Sequence, residues 1–149
     1  DKLTVELAED LDAADKPCVK IFKGNEYTGL AFHGCPGGHE FTSFVLGLYN
    51  AAGPGQQLDA ATLGKIKSIE RKVDMKILVA LTCTMCPELV TAAQKIAAEN
   101  PSVTSEVYDI NHFAALKDKY NVMSVPCLVE GERVTFGRKN VQQLLEFIL

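Results

Sequence analysis

The stretch LTCTMCPELV, residues 81–90, decides how this sequence is interpreted. It places Cys83 and Cys86 two residues apart, directly after the apolar run MKILVAL (75–81) and at the start of a segment with helical spacing. Cysteines at this spacing on the first turn of a helix lie on the same side, close enough for a disulfide. The pair is therefore a candidate redox couple, with half of a zinc site and inert buried thiols as the alternatives.

Regular changes of hydrophobic period on either side of this stretch predict the elements of the second half of the chain. MKILVAL has the length of a strand, and the helix that follows ends at Asn100 and Pro101. A tight turn at 130–132 indicates a hairpin. The predicted order from residue 75 is β-α-β-α-β-β-α: a strand at 75–81, a helix at 83–100, a strand at 102–110, a helix at 111–121 capped by Asn111, a hairpin at 125–137 and a capped helix at 140–149.

The first half is less regular, but it also mixes strands and helices. Residues 2–9 alternate like a strand, and two further runs form a hairpin around Gly24–Asn25. The segment 38–53 is a helix that Gly53 ends. Residues 58–73 are predicted to form an amphipathic helix that joins the two halves.

The position of the cysteine pair predicts a different role for each sulfur. Cys83 lies at or just before the helix N-terminus, where free backbone N–H groups and the positive dipole end favour the thiolate. Cys83 is thus the expected nucleophile. Cys86, one turn deeper and followed by Pro87, is expected to be more buried and to resolve the mixed disulfide that forms on Cys83.

A proline far along the chain points to the same site. Pro126 in SVPC opens a predicted strand, where a proline is otherwise unfavourable. If the Val125–Pro126 bond is cis, the proline faces the cysteine pair and Val125 offers backbone groups to an incoming chain. Thr84 and Met85, between the two cysteines, are expected to contact the same substrate.

Composition excludes several classes of function. The chain of 149 residues has a formal charge of −4 without a basic cluster, so nucleic-acid binding is not expected. It contains no apolar run long enough to span a membrane, and its first residues lack a signal-peptide core, which predicts a cytoplasmic protein without membrane partners.

Three cysteines lie outside the close pair, and zinc binding would need two more ligands from these or from the histidines. None of them forms a second paired motif, so no metal is expected. Cys18 and Cys127 are predicted to be buried core thiols, whereas Cys35 lies in a loop just before Glu40 and could approach the pair.

The chain from residue 74 to 149 resembles the thioredoxin and glutaredoxin superfamily, through CTMC (83–86) and VPC (125–127). With GHEFTS (38–43) and NVMSVP (121–126), nearly the whole chain resembles the N-terminal domain of the flavin-linked subunit of alkyl hydroperoxide reductase. The resemblance implies an α/β fold of two fused thioredoxin-like units, of which the first lacks its opening strand and helix and has no cysteine pair. The implied division is a partial unit at 1–55, a bridging helix at 56–73 and a redox-active unit at 74–149.

The resemblance also implies a function. Electrons pass from a flavoprotein disulfide centre through Cys83 and Cys86 to the disulfide of a peroxiredoxin, and the family's GHEF glutamate, here Glu40, lies near the pair. A desolvated carboxylate could take the proton of Cys86 as it attacks. The first strand carries Ile77 and Leu78 where single-unit members of the fold have a buried acid, so an acid borrowed from the other half would explain the fusion.

No cofactor is expected in this chain, which has no glycine-rich dinucleotide fingerprint; FAD and NAD(P)H are expected on a fused or partner reductase domain. Two alternatives remain open at this point. One is a free-standing protein disulfide oxidoreductase of two fused units, although such proteins often carry a cysteine pair in each. The other is a non-catalytic thioredoxin-like adaptor.

Overall fold

The computed structural model describes residues 3–149. Asp1 and Lys2, the first residues of the predicted unit 1–55, lie outside the described residues, and with Lys2 so does the start of the predicted strand 2–9. The strands are β1 (Cys18–Lys23), β2 (Glu26–His33), β3 (Val73–Val79), β4 (Val103–Asp109), β5 (Cys127–Glu130) and β6 (Arg133–Phe136). The helices are α1 (Phe41–Ala52), α2 (Ala60–Lys67), α3 (Cys86–Glu99), α4 (Ala115–Lys119) and α5 (Val141–Ile148), with 3₁₀ turns at Ala13–Asp15 and Gly38–Glu40.

All six strands form one sheet in the order β1-β2-β4-β3-β5-β6. β3 and β4 run parallel, β5 and β6 form an antiparallel hairpin beside β3, and the hairpin β1-β2 joins the sheet through parallel pairing of β2 with β4. The expected α/β class is confirmed. The two halves of the chain share one continuous sheet, and the division at 55 and 73 stays a prediction.

The sheet buries a different apolar layer on each face. β3 is buried on both faces, as expected for a central strand: Ile77 belongs to the main core and Leu78 to the smaller one, and both side chains are fully buried. Helices α1, α2, α3 and α5 contribute residues to the main core or pack against it. The smaller core lies on the side of α4.

Local signals explain where several helices begin and end. Asn140 and Gln143 form the capping box of α5, in which each side chain bonds the other's backbone N–H at 2.9 and 3.0 Å. Asn100 ends α3 because its buried amide donates to the carbonyl groups of Ile66 and Ile69, at 2.7 and 2.9 Å. The same two hydrogen bonds fix the bridging segment against α3.

The predicted strand at residues 2–9 is wrong over the residues that the structure describes. Residues 3–10 belong to no helix or strand. Leu3, Val5 and Leu7 alternate as a strand would, but they are 66, 87 and 95% exposed. An alternating pattern forms a strand only where a neighbouring strand pairs with it, and no described strand does so here.

Two predicted helices are shorter than the sequence suggested. The bridging helix covers Ala60–Lys67 rather than 58–73, since the Ser68 hydroxyl bonds the carbonyl of Lys65 and turns the chain. The helix expected at 111–121 covers only Ala115–Lys119 and is not capped by Asn111. The carboxylate of Asp109 takes the N–H of Asn111 at 3.0 Å, which holds this stretch in a turn.

Candidate active site

The turn between β3 and α3 positions the cysteine pair. β3 ends at Val79, two residues earlier than predicted, because the N–H of Cys83 donates to the carbonyl of Ala80 at 2.9 Å and closes a turn. α3 begins at Cys86, with Pro87 in its first turn, where the missing N–H costs nothing. Cys83 therefore lies just before the helix N-terminus, as the sequence predicted.

Cys83 and Cys86 form a disulfide, with Cα atoms 5.6 Å apart. The two side chains differ in access: Cys83 is half-buried, whereas Cys86 is fully buried and belongs to the main core. An attacking group from outside can reach Cys83 but not Cys86. This asymmetry agrees with the predicted roles of the two sulfurs.

The Val125–Pro126 bond is cis, as predicted, and it lies beside the pair. The Sγ atom of Cys83 is 3.9 Å from the carbonyl oxygen of Val125. Pro126 is buried and Val125 half-buried, while Thr84 and Met85, which follow Cys83 along the chain, are exposed, Met85 by 52%. Val125 thus lies near the accessible sulfur, and a role of these four residues in substrate binding stays a prediction.

A loop from the first half is fixed against the site. In the 3₁₀ turn Gly38–Glu40, the N–H of His39 donates to the carbonyl of Leu81 at 2.9 Å. Gly38 has φ +53°, and a Cβ there would lie 2.5 Å from the same carbonyl oxygen, so only glycine fits. This turn also contacts α3. Residues 38–40 and the chain leading into the cysteine pair are therefore held together.

Glu40 is fully buried at the end of this turn, and neither carboxyl oxygen has a hydrogen-bond partner of good geometry. Burial raises the pKa of Glu40 to about 7, and the hydroxyl of Ser43 nearby lowers the pKa by a smaller amount. A carboxyl group with this pKa exchanges its proton near neutral pH. The structure therefore places a buried carboxyl group with a raised pKa in the turn that packs against α3.

The remaining cysteines have different surroundings. Cys127 is fully buried in the smaller core, as predicted, and burial raises its pKa to about 11. Cys18, predicted to be a core residue, is only half-buried and belongs to neither core cluster. Cys18 lies on the edge strand β1 and lines a surface cavity. Cys35 is exposed in the loop that leads to Gly38.

The zinc alternative would need further ligands beside the pair. Within residues 3–149, no three His, Cys, Asp or Glu side chains come together in a group that could hold a metal ion. In the same part of the chain, no helix is both long and apolar enough to cross a membrane.

A comparison with family models agrees with this arrangement of a central strand, a cysteine pair at a helix start and a cis-proline directly before β5. The thioredoxin domain model matches residues 73–149. The chain belongs to the thioredoxin family. The fold around the pair and the chemistry of the pair were both expected from the sequence, and the match confirms them as those of a dithiol–disulfide oxidoreductase domain.

Relatives and solved structures confirm the finer resemblance. The alkyl hydroperoxide reductase protein AhpF of Pseudomonas aeruginosa is 34% identical over 97% of this chain, which covers 28% of that protein. A Bacillus subtilis protein named NADH dehydrogenase is 32% identical, again over 97% of this chain and 28% of its own length. The chain thus spans roughly a quarter of the length of these curated relatives.

Two solved structures share the fold of nearly the whole chain. The N-terminal domain of alkyl hydroperoxide reductase AhpF from Enterococcus faecalis aligns with TM-score 0.86 and 37% identity, over 91% of this chain and 66% of that one. A protein disulfide oxidoreductase from Aeropyrum pernix aligns with TM-score 0.79 and 27% identity, over 89% of this chain and 58% of that one. Both likenesses include the first half, where the family model does not match.

Three residues of the first half and α3 were not predicted as site residues from the sequence. Ser43 and Gln94 are buried polar side chains, at 1 and 3% exposure, and Gly38 fixes the loop of Glu40. A signal was present for Gln94, because it follows the core residue Val90 by four positions and so lies on the buried stripe of α3. Ser43 follows Glu40 by three positions on α1 in the same way.

Proposed function

We propose that this chain relays electrons from a flavoprotein disulfide centre to the disulfide of a peroxiredoxin, with Cys83 attacking, Cys86 resolving and Glu40 taking the proton of Cys86. The observation that carries the proposal is the unequal access of two bonded sulfurs at the start of α3: Cys83 is half-buried and Cys86 is fully buried. The likeness to alkyl hydroperoxide reductase AhpF supports the choice of partners.

In the reduced protein the thiolate of Cys83 attacks the partner's disulfide. A bond forms between Cys83 and one partner sulfur, and the other partner sulfur leaves as a thiolate. The N-terminus of α3 supports this step, because its free N–H groups and the helix dipole stabilise negative charge just before the first turn. No side chain other than that of Cys83 needs to reach the partner's sulfur.

The second step releases the reduced partner. Cys86 passes its proton to the Glu40 carboxylate, and the resulting thiolate attacks the sulfur of Cys83, which frees the second partner thiolate. Two electrons have then left the chain, and the Cys83–Cys86 disulfide is restored. Glu40 is suited to this task because burial raises its pKa to about 7, so that it is largely ionised just above neutral pH.

Backbone and side chains around Cys83 are proposed to hold the partner's segment. Val125 presents its carbonyl oxygen 3.9 Å from the Sγ atom of Cys83, and Pro126 fixes the backbone there. Thr84 and Met85 follow Cys83 along the chain and are exposed. An extended peptide that carries the partner's disulfide is proposed to bind beside these residues.

The electrons that re-reduce the pair are proposed to come from a flavin disulfide reductase that uses FAD and NAD(P)H, on a fused or partner domain. The whole relay is proposed to operate in the cytoplasm. The first half, with β1, β2 and α1, is proposed to act as a partial thioredoxin-like unit at 1–55 that supplies Glu40, with 56–73 as the bridge and 74–149 as the redox unit. The sequence of β3 supports this proposal, because positions 77 and 78 are Ile77 and Leu78, so the redox unit has no acidic side chain there.

Trapping the mixed disulfide tests the relay. Cys86→Ser leaves Cys83 free to attack but removes the resolving thiol, so an oxidised peroxiredoxin is expected to accumulate as a covalent complex through Cys83, detected by mass spectrometry. Cys83→Ser is the matched control and is expected to give no complex. A complex that forms equally well with both variants would exclude Cys83 as the nucleophile.

The second candidate is a free-standing protein disulfide oxidoreductase, favoured by the likeness to the Aeropyrum pernix enzyme. Such an enzyme accepts many protein disulfides. Rates of reduction by the dithiol form are therefore to be compared for a peroxiredoxin and for insulin. A preference for the peroxiredoxin supports the relay, equal rates support the general oxidoreductase, and no exchange with either substrate would leave only the non-catalytic adaptor.

A further inference from the structure

Buried side-chain atoms without hydrogen-bond partners concentrate at one place in the part of the chain that the structure describes. There are five such atoms: both carboxyl oxygens of Glu40, the hydroxyl oxygens of Ser43 and Ser105, and the amide oxygen of Gln94. Four of these five belong to Glu40, Ser43 and Gln94, which lie where α1 packs on α3. The Ser43 hydroxyl lies close enough to Glu40 to lower its pKa, but one hydroxyl can pair with only one carboxyl oxygen. Because buried polar atoms almost always have a partner, the atoms left over indicate a bound polar molecule.

The spacing of these residues forms a continuous line. Glu40, directly before α1, is followed three positions later by Ser43 and, four positions after that, by Gly47 of α1, so the three share the face that meets α3. Gly47 leaves room for a side chain of α3: a Cβ at Gly47 would lie 3.1 Å from the amide oxygen of Gln94 and 3.2 Å from its amide nitrogen. We call Glu40, Ser43, Gly47 and Gln94 the polar seam.

The polar seam leads toward the surface at the end far from the cysteines. Asn50 and Lys95 are the next buried polar residues on the two helices, at 6 and 3% exposure, and both lie next to Gly55. The ammonium group of Lys95 donates to Glu99 at 2.7 Å, and the side chain of Glu99 is 25% exposed. A surface cavity of about 300 Å³ is lined in part by Lys95 and extends along α3 to Glu88.

We propose that the polar seam binds internal water, which connects the carboxyl group of Glu40 to solvent between α1 and α3. The inference rests on the proposed function in one respect, since it gives Glu40 a route by which to release the proton that it takes from Cys86. Water suits the site because it donates and accepts at once and so satisfies carboxyl, hydroxyl and amide oxygens together. Buried waters are common, at about one per 27 residues.

The charges around Glu40 agree with a route for its proton. α1 contains no charged residue, and His39, the other titratable group of the 3₁₀ turn, is exposed. On α3, Glu88 is exposed at the first turn, and the ion pair of Lys95 and Glu99 lies at the far end. The pKa of Glu40 is accordingly raised mainly by burial, with a smaller opposing effect of Ser43. A carboxyl group in such surroundings needs water within the protein to exchange its proton.

Water oxygen-17 magnetic relaxation dispersion on the oxidised protein tests the water directly. This measurement counts water molecules that stay inside a protein longer than the protein tumbles. Gln94→Leu replaces the unpaired amide by an apolar side chain of similar size and is expected to remove at least one long-lived water. The matched control Gln142→Leu, on the exposed face of α5, is expected to remove none. Equal numbers of long-lived waters in the wild type and Gln94→Leu would overturn the inference.

A second measurement on the same oxidised protein follows the carboxyl carbon of Glu40 by NMR across the pH range. Loss of water from the seam leaves the carboxylate less solvated, so Gln94→Leu is expected to shift the titration of Glu40 to higher pH by about one unit. If Gln94→Leu does not fold, Ser43→Ala replaces it in the relaxation measurement only, because loss of the Ser43 hydroxyl would itself raise the pKa of Glu40. An unchanged titration of Glu40 in Gln94→Leu counts against the inference. Both measurements use the oxidised protein without a partner. They can therefore contradict the internal water while the trapping experiment supports the relay, or support the water while the trapping experiment contradicts the relay.

Discussion

The backbone N–H of His39 donates a 2.9 Å hydrogen bond to the carbonyl oxygen of Leu81. His39 belongs to the first half of the chain and Leu81 lies two residues before Cys83, so this bond connects the two halves at the redox site. Glu40 follows His39 directly and is buried. The position of the proposed proton acceptor thus depends on one backbone contact between segments distant in sequence.

Gly38→Ala is expected to slow thiol–disulfide exchange by about tenfold or more, because small displacements of catalytic groups have large effects on rate. A Cβ at Gly38 would lie 2.5 Å from the carbonyl oxygen of Leu81 and 3.1 Å from its Cβ, so the turn must move away from Leu81 and take Glu40 with it. Exchange with a peroxiredoxin as a function of pH measures the effect.

Gly24→Ala is the matched control, because Gly24 has a similar φ of +63° but a Cβ there would meet no atom within 4 Å. Alanine at a positive φ costs about 1 kcal/mol of stability, so Gly24→Ala is expected to lose this amount in denaturant unfolding and Gly38→Ala at least this amount. Only Gly38→Ala is expected to change the exchange rate. Equal rates for the two variants would show that the contact with Leu81 does not position the acid.

Glu40→Gln is expected to change how stability depends on pH. The pKa of Glu40 is raised from 4.5 to about 7, so the folded protein holds a proton that the unfolded chain releases. The wild type is therefore expected to lose about 2 to 3 kcal/mol of unfolding free energy as the pH rises between these two values. Glu40→Gln lacks this loss and is expected to gain stability relative to the wild type over the same range.

Denaturant unfolding of the oxidised protein at about pH 5 and about pH 8 measures this difference, since the disulfide keeps Cys83 and Cys86 from titrating. Other groups titrate equally in both proteins and cancel in the comparison. An exposed substitution of the same kind, Glu146→Gln, serves as the control and is expected to show no such trend. A stability difference between wild type and Glu40→Gln that is independent of pH would mean that Glu40 has an ordinary pKa.

The elements around the cysteine pair were predictable because their signals are local. α3 has a helical apolar stripe and a proline in its first turn, and α5 has its capping box within Asn140–Gln143. The hairpins follow from glycine at Gly24 and Gly131, both of which have a positive φ. The proposed roles of Cys83 and Cys86 were predicted from helix position alone, which needs no knowledge of the rest of the fold.

Features that depend on distant partners were not predictable in the same way. The alternation of residues 3–10 suggested a strand, but a strand exists only where another pairs with it. The parallel register that sets Leu30 opposite Ser105 joins the two halves, and no pattern within either segment predicts it. No local pattern predicts the hydrogen bond from His39 to Leu81 either, so the position of Glu40 could be inferred only from the family resemblance.

Arg71→Leu is expected to lower the free energy of unfolding by about 1 to 2 kcal/mol while leaving the exchange rate unchanged. The guanidinium of Arg71 donates to Glu130 and to the carbonyl of Ile148, each at 2.6 Å. Burial alone would raise the pKa of Glu130, but hydrogen bonds from Arg71 and Arg133 outweigh it and hold that pKa below its usual range. Denaturant unfolding measures the loss.

Lys72→Leu is the control for this arginine, because the Lys72–Asp74 ion pair is longer, at 3.7 Å, and exposed. It is expected to change stability by no more than about 0.5 kcal/mol. The lowered pKa of Glu130 stabilises the fold above the ordinary carboxyl value of 4.5, and this contribution disappears as the pH falls through the lowered pKa. The unfolding free energies of Arg71→Leu and Lys72→Leu are therefore expected to become more alike at acid pH. A difference that grows at acid pH would contradict the stabilising role of the Arg71–Glu130 ion pair.

Alkylation of the reduced protein by iodoacetamide near neutral pH is expected to modify Cys83 first. The N-terminus of α3 favours the thiolate of Cys83, and Cys83 is only half-buried, so the reagent can reach it. Cys35 is also accessible, but it does not lie at a helix N-terminus. Cys86 and Cys127 are fully buried, and burial raises the pKa of Cys127 to about 11, so both are expected to react at least about tenfold more slowly. Peptide mass spectrometry gives the order, and unfolded protein, in which all sites react alike, is the control. Modification of Cys35 ahead of Cys83 would show that the helix end does not activate the proposed nucleophile.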